Sequence, residues 1–205
     1  MRVNGSLLGA FIAHSTTTAV VVIDEDSSSD GANEHGNAAS PALNATARQQ
    51  RVIAVAQRFG CPVFLVQPSE SDLNPVGIRR ATGRPDDYPE NTRTSLKGLL
   101  PFNKVMVTKS TPNAFRGTGF HDYLQQHHGN ISRLLLMGWS ANACVGRTAG
   151  IFDAYNIEGA MYDPGATHLG YTVMSCDDVL HGGPSNWVDD NGQACRASIE
   201  FYSAL

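Results

Sequence analysis

The stretch Ala19-Val20-Val21-Val22-Ile23-Asp24 places five consecutive apolar residues directly before a carboxylate. A strand with one wet face alternates apolar and polar residues, whereas a strand covered on both faces is apolar throughout. The continuous run therefore predicts a central strand of a parallel sheet that lies between two helical layers, with Asp24 at its carboxyl end.

Similar apolar runs recur along the chain and alternate with helix-like stretches. The further predicted strands cover residues 63–66, 105–107, 134–137 and, more weakly, 159–162. Apolar periodicity and capping residues predict helices over 42–59, 120–128 and 142–155. The segments 25–41 and 69–95, rich in Ser, Asp, Gly and Pro, predict long loops. This alternation predicts an α/β fold, a three-layer α/β/α sandwich around a mostly parallel, doubly wound sheet.

Length and charge limit the classes of protein that need to be considered. The 205 residues fit one domain over 1–205, in which we interpret residues 1–18 as an N-terminal arm rather than a weak signal peptide. With 15 basic and 19 acidic residues the net charge is −4, which argues against a nucleic-acid partner. No apolar run approaches the roughly 20 residues of a membrane-spanning helix. The four scattered cysteines form no metal-binding pattern and favour a reducing, cytoplasmic location.

Chemically versatile side chains follow several of the predicted strands. In open α/β sheets, ligands bind beyond the carboxyl ends of the strands, where the prediction places Asp24, Lys109 and Cys144. Taken singly, each has an ordinary explanation: a loop cap, a solvated strand end and a small core residue. Together they suit a nucleophilic thiol, because a helix start and a nearby lysine favour the thiolate and a carboxylate can carry protons. Such a site is suited to attack on a carbonyl group.

Three motifs occur in order along the chain. They are Ala19-Val20-Val21-Val22-Ile23-Asp24, then Val107-Thr108-Lys109 with Asn113-Ala114-Phe115-Arg116-Gly117-Thr118, and finally Gly138-Trp139-Ser140-Ala141-Asn142-Ala143-Cys144-Val145-Gly146-Arg147-Thr148-Ala149. These motifs resemble those of the isochorismatase-like cysteine hydrolases, a family that includes nicotinamidases, N-carbamoylsarcosine amidases and ureidoacrylate or biuret hydrolases. The resemblance covers most of the chain, from Ala19 to its C-terminus. We call residues 138–144 the nucleophile turn.

The resemblance implies a role for each matching residue. Cys144 would be the nucleophile, Asp24 the general base and later acid, and Lys109 the group that orients Asp24 and stabilises the thiolate. The backbone N–H groups of Ser140 and Cys144 would form an oxyanion hole, with a cis peptide before Ser140. The family fold also implies a small-molecule substrate, no cofactor and a homo-oligomer of two or more subunits.

The sequence departs from the family at two places. Relatives usually carry Gln two residues after the catalytic Asp, where this chain has Asp26. A second carboxylate there would repel an anionic substrate or disfavour ionisation of Asp24, unless it turns outward with the serines that follow. The metal-binding Asp-x-His of nicotinamidases is also missing from residues 67–72, so we expect no metal.

Two aromatic residues are candidates for the substrate pocket beside Asp26. Trp139 and Phe115 would lie against the substrate, and core packing is the competing interpretation, especially for Phe115. Histidines such as His181 are interpreted as surface or packing residues.

These observations leave three hypotheses. The first is a cysteine hydrolase that cleaves a C–N bond of a small amide, ureide or carbamoyl compound through a Cys144 thioester and an Asp-Lys-Cys triad. The second is hydrolysis of a vinyl ether, as by a true isochorismatase, through acid catalysis by Asp24 without a thiol. The third is a non-catalytic relative that binds a small molecule, motivated by Asp26 and the atypical 25–41 segment.

Overall fold

A computed structural model describes residues 3–25, 41–69, 75–80, 105–154, 161, 163–182, 186–191 and 193–205. The described residues form one eight-stranded sheet in the order β1-β8-β7-β6-β2-β3-β5-β4. Its strands are β1 (Val3–Ser6), β2 (Thr18–Ile23), β3 (Val63–Pro68), β4 (Gly77–Arg80), β5 (Val105–Lys109), β6 (Arg133–Gly138), β7 (Thr172–Cys176) and β8 (Ile199–Ala204). The neighbouring strands pair in parallel except β4, which is antiparallel to β5.

The middle strand β2 sets the geometry of the molecule. All six of its residues are buried, which is why the sequence there is apolar on both faces. It pairs with β3 on one side and β6 on the other, so that Ile23 is in register with Val66 and with Gly138. The chain runs from β2 towards β3 and later returns to the opposite side of β2 as β6. The ends of β2 and β6 therefore meet at the switch point where doubly wound sheets bind ligands.

Three helices of seven residues or more flank this sheet in the described part of the chain. They are α1 (Leu7–Ala13), α2 (Pro41–Phe59) and α3 (Phe120–His127). The α3 residue Phe120 packs edge-on against Phe64 of β3, with ring centroids 5.1 Å apart. The predicted three-layer, mostly parallel α/β fold is confirmed. None of the described helices combines the length and apolar character needed to cross a lipid bilayer.

The first four predicted strands and the first two predicted helices match the structure to within two residues at each end. The N-terminal segment supplies the edge strand β1, and the α1 side chains Leu7 and Phe11 are completely buried. The structure adds β4 inside the segment predicted as a loop, and the two strands β7 and β8. Of the weak strand predicted at 159–162, only Met161 is among the described residues.

The helix predicted over 142–155 is wrong in length. Residues Ala141–Val145 form a π-helical turn, and the α-helix that follows, α4, covers only Gly146–Ala149. It ends at Gly150, whose φ of 86° is left-handed. A Cβ atom at Gly150 would lie 2.4 Å from Thr167 Oγ1, so a larger residue would not fit at this helix end.

Candidate active site

The carboxylate and the ammonium group predicted at the sheet edge form a buried ion pair. Asp24 follows β2, Lys109 ends β5, and Lys109 Nζ lies 2.8 Å from Asp24 Oδ2. The two residues are 7% and 4% exposed, so water screens the pair weakly. Asp24 has a left-handed backbone with φ of 51°, and its N–H donates to Val66 O at 2.9 Å. Such conformations are uncommon for residues other than glycine and cluster at functional sites.

The nucleophile turn begins where β6 ends, directly beside Asp24. Gly138 has φ of 127°, and a Cβ atom there would lie 2.0 Å from Ile23 O, so only glycine allows this close approach of β6 to β2. The Trp139 N–H donates to Ile23 O at 2.9 Å. The Trp139–Ser140 peptide is cis, as the resemblance implied.

The Cys144 thiol meets both members of the ion pair. Its side chain is within hydrogen-bonding contact of Asp24 and of Lys109 and remains partly exposed. The structure therefore brings together three side chains that are remote along the chain, as predicted from their positions after parallel strands. A thiol, a carboxylate and an ammonium group in mutual contact can transfer a proton and stabilise a developing sulfur anion.

The resting charge state of the thiol differs from the expectation. Burial raises the pKa of Cys144 to about 11; the Asp24 carboxylate also raises it, while Lys109 lowers it. The expected thiolate depended on a helix start and on the nearby lysine, but the helical segment here is a single π-helical turn followed by four α-helical residues. The proton therefore stays on sulfur at neutral pH, and a base must remove it during the reaction.

The backbone of the nucleophile turn carries the predicted oxyanion-hole donors. Ser140 O accepts from the N–H groups of Ala143 and Val145, at 3.0 and 3.1 Å. No acceptor for the Ser140 N–H occurs among the described residues. The Trp187 indole N–H donates to Ala141 O at 2.9 Å and holds the turn from the side. Ser140 N–H is thus suited to stabilise an oxyanion.

The pocket candidates have different surroundings. Trp139 is partly exposed, with its ring centroid 6.0 Å from that of His181. Phe115 is 8% exposed and stacks between Phe120 and Tyr171 at centroid distances of 5.2 and 6.0 Å. These contacts agree with the competing interpretation of Phe115 as a core residue. Asp26 lies outside the described residues.

A buried polar cluster next to the site was missed by the sequence analysis. The Glu25 carboxylate pairs with His181 at 2.7 Å and accepts from the Gln49 amide at 2.7 Å. All three side chains are almost completely buried. Glu25 belongs to the Ser- and Asp-rich segment that follows β2, so nothing in its local sequence signalled burial. Within the described ranges, no three His, Cys, Asp or Glu side chains are grouped so as to hold a metal ion.

The comparisons with known proteins agree with this fold. The family model for the isochorismatase domain matches residues 18–159. Among solved structures, the fold is similar to that of an isochorismatase family protein from Burkholderia thailandensis (20% identity, 92% of each chain, TM-score 0.57). It is also similar to N-carbamoylsarcosine amidase from Thermoplasma acidophilum (19% identity, 91% of this chain and 96% of that chain, TM-score 0.54). A third similar structure is a nicotinamidase from Staphylococcus aureus (15% identity, 80% of this chain and 82% of that chain, TM-score 0.53). The curated proteins provide no match.

Proposed function

Since the chain belongs to the isochorismatase family of hydrolases, we propose that it is a cysteine hydrolase that cleaves a C–N bond of a small amide, ureide or carbamoyl compound. The observation that supports this most directly is the contact of the Cys144 thiol with the Asp24–Lys109 pair. A structural cysteine has no need of a buried carboxylate and an ammonium group beside its sulfur.

The first half of the proposed reaction forms a thioester. Asp24 takes the proton from the Cys144 thiol while the sulfur attacks the substrate carbonyl carbon and forms a C–S bond. The carbonyl oxygen becomes an oxyanion that accepts from the N–H groups of Ser140 and Cys144. Protonated Asp24 then gives its proton to the leaving nitrogen as the C–N bond breaks, and ammonia or an amine departs.

The second half restores the enzyme. Asp24 takes a proton from water, whose oxygen attacks the thioester carbon, and the C–S bond breaks as the acid is released. The proton returns from Asp24 to sulfur, so the cycle balances without a cofactor. The raised pKa of Cys144 fits this scheme, because proton transfer to Asp24 then accompanies attack rather than preceding it.

The test is a release assay for ammonia with nicotinamide, biuret, ureidoacrylate and simple aliphatic amides. We expect the wild-type protein to hydrolyse at least one of these compounds and Cys144→Ala to lose that turnover. Cys195→Ala is the matched control, since Cys195 is exposed. Full hydrolysis by Cys144→Ala would contradict the thioester mechanism.

An isochorismate assay run beside the panel addresses vinyl ether hydrolysis. That reaction needs an acid but no thiol, so Cys144→Ala would stay active there while Asp24→Asn would not. Absence of turnover on every compound would instead support a non-catalytic relative.

A further inference from the structure

The Glu25–His181 pair is an unusual feature to find completely buried. The Glu25 and His181 side chains are 0% and 2% exposed, and Glu25 Oε1 lies 2.7 Å from His181 Nε2. The Gln49 amide donates both to this oxygen, at 2.7 Å, and to Val179 O, at 2.9 Å. Burying such groups costs free energy that a well-packed apolar cluster would avoid. Their presence therefore calls for an explanation beyond stability.

The backbone of His181 forms hydrogen bonds with the nucleophile turn on both sides of its cis peptide. The His181 N–H donates to Gly138 O at 3.0 Å, and the Ala141 N–H donates to His181 O at 2.8 Å. These two hydrogen bonds bracket Trp139 and Ser140, the residues that the cis peptide joins. Any shift of His181 would therefore move Ser140, whose N–H is the proposed oxyanion donor.

The other member of the pair, Glu25, is the chain neighbour of the proposed general base, Asp24. Glu25 follows Asp24 directly, at the carboxyl end of β2. The pair thus connects the end of β2, which carries the base, to the turn after β6, which carries the nucleophile and the oxyanion donors. Gln49 of α2 fixes the same carboxylate oxygen from a third element.

We propose that Glu25 and His181 are positioning residues that hold the Ser140 N–H at the place where the carbonyl oxygen of the substrate becomes negative. This rests on the proposed hydrolase function. Neither side chain needs to touch the substrate, since the pair acts through the backbone hydrogen bonds of His181. Displacement of an oxyanion donor by about 1 Å costs roughly 100-fold in rate.

The experiment compares amide turnover with alkylation of Cys144 by iodoacetamide. Alkylation depends on the thiolate fraction and the accessibility of Cys144, and it develops no oxyanion, so it does not depend on the Ser140 N–H. For Glu25→Ala we expect kcat to fall roughly 10- to 100-fold with KM and the rate of Cys144 alkylation little changed. Glu25→Gln keeps an oxygen acceptor for His181 and should recover most of kcat.

The Arg133–Glu200 ion pair provides a matched control. It has the same 2.7 Å separation but joins the start of β6 to β8, away from the nucleophile turn. We expect Glu200→Ala to keep the wild-type kcat. Thermal unfolding of each variant shows whether it is folded.

The possible results distinguish a failure of this inference from a failure of the proposed hydrolase function. A folded Glu25→Ala protein with wild-type kcat overturns the inference, as does a parallel fall of kcat and alkylation, which indicates general damage. If Glu25→Ala does not fold, His181→Gln takes its place with the same expected loss of kcat alone, and wild-type kcat in that variant overturns the inference. Absence of turnover by the wild-type protein on the whole panel overturns the proposed function, and this inference with it.

Discussion

Replacing Asp24 with asparagine should make alkylation of Cys144 by iodoacetamide faster and turnover of an amide substrate slower. The substitution keeps the shape of the side chain and removes its charge. In the wild-type protein that charge, and its hydrogen bond with the thiol, both raise the pKa of Cys144, whereas Lys109 lowers it. The variant thiol therefore faces an ammonium group without the opposing carboxylate, and its pKa should fall.

The size of the effect follows from Coulomb's law. Two unit charges about 4 Å apart interact by about 1 kcal/mol in water and about 4 kcal/mol near a protein surface. Because Cys144 is partly exposed, we take a value near the lower limit, about 1.4 kcal/mol, which raises the thiolate fraction roughly tenfold below the pKa. A less basic thiolate is also a weaker nucleophile, with a Brønsted coefficient of about 0.5, so alkylation should become about threefold faster. Amide turnover should fall at least about 100-fold, since the general base is gone.

The assay is alkylation by iodoacetamide at pH 8, with the Cys144 peptide followed by mass spectrometry, beside ammonia release from the best amide of the panel. Asp190→Asn, which removes an exposed carboxylate, is the control and should change neither rate. Slower alkylation in Asp24→Asn would show that Asp24 activates the resting thiol, against the electrostatics described here. Retained turnover would show that Asp24 is not the base.

Three further predictions concern the buried ion pair, the close approach of β6 to β2 and the buried thiol of Cys176. Lys109→Met leaves the buried Asp24 carboxylate without its ion-pair partner, so we expect a loss of about 3 kcal/mol in urea unfolding and slower alkylation of Cys144; an unchanged unfolding midpoint would contradict the buried pair. Gly138→Ala should yield little folded protein because its Cβ would overlap Ile23 O. The control Gly170→Ala, at φ of 89° but with open space around it, should fold with a loss of about 1 kcal/mol in the free energy of unfolding. Equal losses in the two variants would be evidence against the close approach of β6 to β2. Burial raises the pKa of Cys176 to about 12 from its ordinary value of 9.0, so folding disfavours its thiolate, and the unfolding free energy should fall as pH rises above about 9. This fall should be shallower in Cys176→Ala when urea unfolding is measured at about pH 7 and pH 10, and an identical pH dependence would refute the assignment.

The central strands and the catalytic candidates could be predicted from the sequence because both leave local signals. A strand covered on both faces must be apolar at every position, as β2 is, and the residue after it must lie at the sheet edge. Asp24 follows β2, Lys109 is the last residue of β5, and Cys144 lies in the turn after β6. Their convergence is therefore a consequence of parallel pairing, which brings the carboxyl ends of strands to one side.

The outlying strands and the end of the last helix left no comparable signal. Strand β4 lies at the edge of the sheet, and none of its residues is fully buried, so its sequence carries no apolar run. The helix after the nucleophile turn was predicted too long because it ends already at Gly150, which has a left-handed backbone and lies close to the Thr167 side chain.

The sequence by itself determined the layered α/β architecture and the three candidate residues at its edge, because buried strands and their alternation with helices leave local patterns. Only the tertiary structure decided the charge state of the Cys144 thiol and the pairing of Glu25 with His181. Both depend on how much water is excluded around a group and on which distant side chain fills that space. These quantities arise only when separate parts of the chain pack together.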